Sequence, residues 1–171
     1  MEYITADLVD AYESSVRSCE IQFRSFGACA RFHGPVRTLR AFQDNVLLKA
    51  MLSSSGDGAV LVVDGGGSLN CSMFGDFIAA LGQNNGWAGI VVWGAIRDVL
   101  ALGRLNVGVK ALGSNPLRSG KRGTGQIDVP VTFGGVTFQP GEWLYSDEDG
   151  ILVSASELPL PEVAAAGQSH A

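Results

Sequence analysis

The sequence predicts an α/β fold in a single domain, and three observations carry that expectation. Short runs of branched apolar residues, AVLVVD at 59–64, WAGIVVWG at 87–94 and VGVKAL at 107–112, read as buried strands. Segments of helical period separate them, the βαβ alternation of a parallel sheet. On both sides of this core the chain turns to shorter β-like pieces, so small β-layers should flank the βαβ units. With 171 residues, 46% of them hydrophobic, the chain can bury one sizeable core. Residues 1–171 are therefore expected to form one domain, with a polar, Ala-rich tail from about residue 161.

Taken in order, Thr5 is placed to cap a first helix that carries Leu8, Val9 and Tyr12 on one face and stops near Ser15, with Asp7 favourable to its dipole. IQFRSFG, ARFHG and VRTLRAF then read as separate β pieces punctuated by Gly27, Gly34 and Pro35. In QDNVLLKAMLSS, Val46, Leu47, Ala50 and Met51 recur at helical spacing. FGDFIAALGQN is a second such helix beginning near Gly75, and RDVLALGRL a short third one after the strand WAGIVVWG. Beyond Gly113 the pieces VPVTF, GVTF, EWLYSD and GILV return to strand, separated by Gly-rich or Pro-Gly turns.

Composition narrows the function. No apolar run approaches the roughly 18 residues that span a bilayer, and MEYITADLVDAY lacks the basic and apolar regions of a secretory signal. The expectation is a cytoplasmic protein with no membrane contact. A net charge of −5 opposes direct nucleic-acid binding, which needs a basic surface. Cys19, Cys29 and Cys71 form no CxxC pair, and with two histidines in the chain they read as reduced, buried, small apolar residues.

Two glycine-rich stretches imitate phosphate loops. Gly65–Gly67 follow a strand, but the third glycine of G-x-G-x-x-G is missing and the next helix starts about eight residues later, so a turn is the better account. GSNPLRSGKRG has six residues between Gly113 and Gly120, and Arg122 where a P-loop needs a hydroxyl. Arg118, Lys121 and Arg122 thus read as a solvated basic loop, open to an anion or an acidic partner. There is no G-x-S-x-G, and His33 sits in a β-like segment with no nucleophile motif beside it, a structural or surface histidine.

More informative are GDFI, Gly75–Ile78, and the pair Arg97–Asp98. Gly75 opens a helix, where free backbone amides and the positive end of the dipole favour an anion. Arg97 and Asp98 fall at the carboxyl end of a neighbouring strand, the usual ligand crevice of an open α/β sheet. Arg97 offers a planar fork for a carboxylate, and Asp98 offers hard oxygens suited to Mg²⁺ or Mn²⁺. The plainer alternative is a solvated helix start.

The stretch GDFIAALGQNNGWAGIVVWGAIRDVLALGRLNVGVKALGSNP, followed by FGGVTFQPGEWLYSDEDGILV, closely resembles the RraA family, which includes regulators of ribonuclease activity and 4-hydroxy-4-methyl-2-oxoglutarate aldolases. The resemblance runs from TADLVDAY through DGILV. It implies a swivelling β/β/α fold assembled as a homotrimer with the site between subunits. It also implies that the backbone of Gly75, Asp76, Phe77 and Ile78 and the side chain of Arg97 bind an α-keto acid, while Asp98 holds a divalent metal. Arg97 and Asp98 would then carry catalysis, stabilising the enolate left when a C–C bond breaks. Relatives often carry a demethylmenaquinone methyltransferase label, for which Gly65–Gly67 give no physical support.

One departure stands out. Where aldolases of the family carry an acid after the Arg-Asp pair, this chain has Val99, Leu100, Ala101 and Leu102. That puts retro-aldol cleavage in doubt more than oxaloacetate decarboxylation. Two functions follow from the resemblance: a metal-dependent lyase of short α-keto acids, or a regulator that docks on ribonuclease E or an associated helicase.

Overall fold

The computed structural model describes residues 3–160, so the tail expected from residue 161 lies outside the described residues. The helices are α1 (Thr5–Tyr12), α2 (Val46–Leu52), α3 (Asp76–Asn84) and α4 (Val99–Leu102). The strands begin with β1 (Val16–Ser18), β2 (Arg24–Ser25), β3 (Phe32–Arg40), β4 (Val60–Asp64), β5 (Gly89–Ile96) and β6 (Gly108–Ser114). They continue with β7 (Gln126–Ile127), β8 (Val131–Phe133), β9 (Val136–Phe138), β10 (Trp143–Ser146) and β11 (Ile151–Ser154). One sheet runs β1-β11-β10-β3-β4-β5-β6-β2 with β7 also on β3, and β8-β9 form a separate hairpin.

The three expected buried strands are β4, β5 and β6, and with β3 they make the parallel centre of the sheet. Side chains alternate across a strand, so each buried strand feeds two cores. Leu61, Val63, Ile90 and Val92 face a helical layer with Leu48, Leu52, Ala79 and Leu102. Val60, Val62 and Val91 face the opposite layer with Val131, Phe133, Val136 and Phe138 of the β8-β9 hairpin. The result is β/β/α layering. The hairpin turns on Gly134 and Gly135, both at positive φ (59° and 74°), as a two-residue turn demands.

Several expectations need correction. ARFHG and VRTLRAF are one nine-residue strand rather than two pieces. Its first half, Phe32–Pro35, pairs antiparallel with β10, and its second half, Val36–Arg40, pairs parallel with β4. Pro35 stands where the strand changes partner, a place where a missing N–H is tolerated. Gly34 is needed there because a Cβ would lie 2.0 Å from the Gly58 carbonyl oxygen. In α2 the core face is Leu48, Met51 and Leu52, whereas Val46 and Ala50 are exposed. Cys19 and Cys71 are buried, but Cys29 is only half-buried and donates to Asn106 Oδ1 at 3.0 Å. His33, half-buried, packs edge-on to Tyr3 and stacks on Tyr145, and burial pushes its pKa down.

Thr5 is the first residue of α1 rather than its cap. The acceptor at that helix start comes from the other end of the chain. Asp147, 2% exposed, accepts the Thr5 backbone N–H at 2.6 Å and the Thr5 hydroxyl at 2.8 Å. Its own carbonyl accepts the Nζ of Lys110, also 2% exposed, at 2.6 Å. This network seats α1 against β10 and β11 beside Tyr3, Leu8, Tyr145 and Leu152.

Burial works against the charge on Asp147, but the Thr5 amide and hydroxyl and the amides of Asp149 and Gly150 outweigh it, leaving the carboxyl below its ordinary pKa. A lowered folded-state pKa supplies stability above the unfolded value, about 3.9, and that stability is lost as pH falls toward the folded value. Asp147→Asn is expected to cost about 1–3 kcal/mol at pH 7. Urea unfolding at pH 7 and pH 3 should show a smaller difference between the two pH values in the variant than in the parent; equal differences would refute the assignment.

Candidate active site

The site is built where two chain segments meet at the carboxyl ends of the parallel strands. After β4 the chain loops out and returns as residues 72–74 alongside the end of β5. Met73 N–H donates to Ala95 O at 2.8 Å, and Arg97 N–H donates to Phe74 O at 3.0 Å. These two bonds bring Gly75, the residue before α3, against Arg97 and Asp98. The approach is so close that a Cβ on Gly75 would lie 2.0 Å from Asp98 Oδ2 and 3.1 Å from Arg97 Cγ. Gly75 has φ −130° and ψ −158°, an extended conformation open to any residue, so what a Cβ there would disturb is the position of the Asp98 carboxylate and not the backbone.

Asp98 adopts the left-handed conformation, φ 59° and ψ 41°, as the residue entering α4. A non-glycine residue there is uncommon and marks a constrained position. Its Oδ2 lies 3.4 Å from the Asp76 amide and 3.5 Å from Arg97 Nε, both long contacts, and both side chains of the ion pair remain over one-third exposed. The pair is therefore open to a ligand. Asp76 is the first residue of α3, and its Oδ1 accepts the N–H of the next residue, Phe77, at 2.7 Å.

All of the residues singled out from sequence, Gly75, Asp76, Phe77, Ile78, Arg97 and Asp98, border one cavity of about 560 Å³, within the usual range for small-molecule sites. A second hollow of about 250 Å³ lies on the other side of Arg97 and Asp98, against Ser114–Pro116. The sequence reading missed the facing side of the main cavity. Asn45, Val46, Lys49 and Ala50 of the α2 region, with Arg118, Ser119 and Lys121, complete it. The basic loop follows β6, whose carboxyl end lies beside that of β5, so its position after a third parallel strand was the signal that could have found it. Arg118, Lys121 and Arg122 are exposed, as the solvated-loop expectation had it, and Arg118 and Lys121 also line the cavity; Arg122 contributes its backbone amide to Asp44.

Three features frame what this cavity can hold. Four cationic side chains, Lys49, Arg97, Arg118 and Lys121, against two carboxylates, Asp76 and Asp98, favour an anion. Among the described residues there is no group of three or more His, Cys, Asp or Glu that could cage a metal. Two carboxylates beside open space nevertheless suit Mg²⁺ or Mn²⁺, which keep several waters, better than zinc. By contrast, the triglycine offers nothing to a phosphate: Gly65 and Gly67 N–H both donate to Trp93 O, and Gly66 N–H donates to Asp64 Oδ1.

A family model described as RraA-like (Aldolase/RraA) matches residues 5–153. The chain belongs to the RraA-like family. A relative from Aromatoleum aromaticum, provisionally named 4-hydroxy-4-methyl-2-oxoglutarate aldolase, is 53% identical over 92% of this chain and 99% of its own. Another with the same name, from Alkalilimnicola ehrlichii, is 52% identical over 92% and 98%. Among solved structures, the RNA-processing inhibitor RraA from Thermus thermophilis superposes with a TM-score of 0.89 at 43% identity, covering 98% of this chain and 100% of that one. A Geobacillus kaustophilus structure described as an S-adenosylmethionine:2-dimethylmenaquinone methyltransferase superposes equally well, 0.89 at 41% identity, over 91% and 96%. In this RraA-like chain the consumed amides of Gly65–Gly67 give that last description no support.

Gly75→Ala tests the packing directly. The variant is expected to fold, with thermal unfolding within a few degrees of the parent, and its crystal structure should show the Asp98 carboxylate swung away from α3. An Asp98 side chain left in place would refute the contact.

Proposed function

We propose that this protein is a divalent-metal-dependent lyase that cleaves a C–C bond of short α-keto diacids, as an oxaloacetate decarboxylase, a 4-hydroxy-4-methyl-2-oxoglutarate aldolase, or both. The observation that carries the reading is the convergence of the Gly75–Ile78 helix start, Arg97 and Asp98 on one cationic cavity. The provisional aldolase names of relatives more than half identical support it.

In this reading the start of α3 receives the substrate's carboxylate, where the helix dipole favours negative charge; the substrate would displace the long Asp98 contact from the Asp76 amide, while the Phe77 amide stays with Asp76 Oδ1. The Arg97 guanidinium faces the keto oxygen and neutralises charge as it develops there. Asp98, with Asp76 nearby, would hold Mg²⁺ or Mn²⁺, which supplies Lewis acidity at the keto group. For oxaloacetate, the bond between C3 and C4 breaks and CO₂ leaves. The electron pair becomes the enolate of pyruvate, which then takes a proton at C3. Lys49, Arg118 and Lys121 provide counter-charge for the substrate's second carboxylate.

No carboxylate follows Arg97–Asp98: α4 presents Val99 and Leu100, the latter 85% exposed. Retro-aldol cleavage needs a proton moved from the leaving fragment's hydroxyl, so the residues of this chain lean toward decarboxylation, whereas the names of its relatives lean toward the aldolase. Phe77 in the cavity lining is an exposed large apolar side chain, as are Leu100 and Leu117, which stand close in sequence to the lining residues Asp98 and Arg118. Burial of these side chains against a neighbouring copy is the contribution they would make to a homotrimer.

A second reading is favoured by the Thermus match: a regulator that binds ribonuclease E or an associated helicase. The same trimer could serve both roles.

Oxaloacetate decarboxylation should require added Mg²⁺ or Mn²⁺ and fall at least 100-fold in both Arg97→Ala and Asp98→Ala. Activity indifferent to metal and to both substitutions would remove the basis for the lyase. Capture of ribonuclease E by the inactive variants would establish the regulator, and sedimentation equilibrium of the parent should give three chains per particle.

A further inference from the structure

The basic segment that closes the cavity has no regular secondary structure between β6 and β7, yet it is held at defined points. Ser72 N–H and Ser72 Oγ both donate to Leu117 O at 2.8 Å, tying its start to the chain beside β5. Gly120 N–H donates to Gln43 O at 2.7 Å, and Asn45 N–H donates to Gly120 O at 3.3 Å. A Cβ on Gly120 would come within 3.2 Å of Gln43 O, so this crossing is tight.

The remaining anchor is a single carboxylate. Asp44 is 2% exposed, and the partners found for it are backbone amides. Oδ1 accepts the Val46 N–H at 3.1 Å, at the start of α2. Both oxygens accept the Gly123 N–H, at 3.2 and 3.1 Å, and Oδ2 accepts the Arg122 N–H. One side chain thus joins the helix that carries Lys49 to the loop that carries Arg118 and Lys121. A neutral residue of the same size cannot accept so many amides, and a buried carboxylate is maintained only where such donors repay its desolvation.

We propose that Asp44 is a positioning residue that holds segment 117–124 as the far side of the cavity and thereby sets affinity for the second carboxylate of a dicarboxylic substrate. Asp44 does not border the cavity itself; it acts through Arg118 and Lys121. The inference rests on the keto-diacid reading, with a structural half that is measurable without any ligand. Pyruvate has one carboxylate, held at the α3 start and Arg97, so it should not sense the far side.

Asp44→Asn and Asp44→Ala are compared with the parent and with Asp128→Asn, which alters an exposed acid bonded to Arg37. Amide hydrogen exchange without ligand reports the segment; steady-state decarboxylation of oxaloacetate and calorimetric binding of pyruvate, both with Mn²⁺, report the site. In the Asp44 variants, residues 117–124 should lose protection while α3 and β5 keep it. The KM for oxaloacetate should rise at least about tenfold, the effect of losing one charge-assisted contact, with kcat and the pyruvate Kd within about twofold. Asp128→Asn should match the parent. Retained protection, or lost protection with unchanged KM, overturns the proposal, as does failure of both variants to fold, which would make Asp44 a determinant of the fold alone. A parent that neither decarboxylates oxaloacetate nor binds pyruvate overturns the keto-diacid reading and this role with it, an outcome recognisable before any variant is made.

Discussion

The arrangement of this molecule's cavity depends on two backbone hydrogen bonds that lay residues 72–74 against the end of β5, from Met73 to Ala95 and from Arg97 to Phe74. They are main-chain bonds, so they set position irrespective of side-chain identity. Gly75, having no side chain, lets the Asp98 carboxylate lie against the start of α3. The left-handed backbone of Asp98 is the other half of the same constraint, since it turns the chain from β5 into α4 while leaving the carboxylate beside the α3 amides. A strand end, a helix start and a single missing methyl group together make the pocket.

Around this junction the charges are arranged asymmetrically. Acidic oxygens cluster at the α3 start, while the cations are spread over three elements, α2, the end of β5 and the loop after β6. A doubly charged anion bridging the cavity would meet Arg97 at one end and Lys49, Arg118 and Lys121 at the other, the condition under which orientation as well as affinity is set. The protein as a whole is acidic, with a net charge of −5, so the cavity is a local reversal of the molecule's field. Small anions are drawn to such a reversal, whereas polyanionic chains meet repulsion from the rest of the surface.

Much of this was legible in the sequence, for identifiable reasons. AVLVVD, GIVVWGAI and VGVKAL are β-branched runs bounded by glycine, and each became a parallel strand; the order of the motifs placed Gly75, Arg97 and Asp98 at adjacent strand ends. What could not be read has physical causes too. In α2 the apolar residues outnumber one face, so periodicity alone could not tell the core positions Leu48 and Leu52 from the cavity positions Val46 and Ala50. The cap of α1 is supplied by Asp147, 142 positions away, and no local pattern encodes such a pairing. Arg118 and Lys121 are exposed, as the loop composition of their segment suggests; what composition could not show is that the segment borders the cavity and is tied to the start of α2 through Asp44, which in sequence is an ordinary acid in a polar turn.

The long strand β3 carries one further implication. Because Phe32–Pro35 is stitched to β10 and Val36–Arg40 to β4, the antiparallel and parallel parts of the sheet share a single covalent spine with no linker between them. Neither part presents a complete edge without the other, so excising the amino-terminal or carboxyl-terminal portion as an independent module would leave β3 with half its backbone partners missing. A continuous strand shared in this way couples the two parts of the sheet, because separating them strips backbone partners from both.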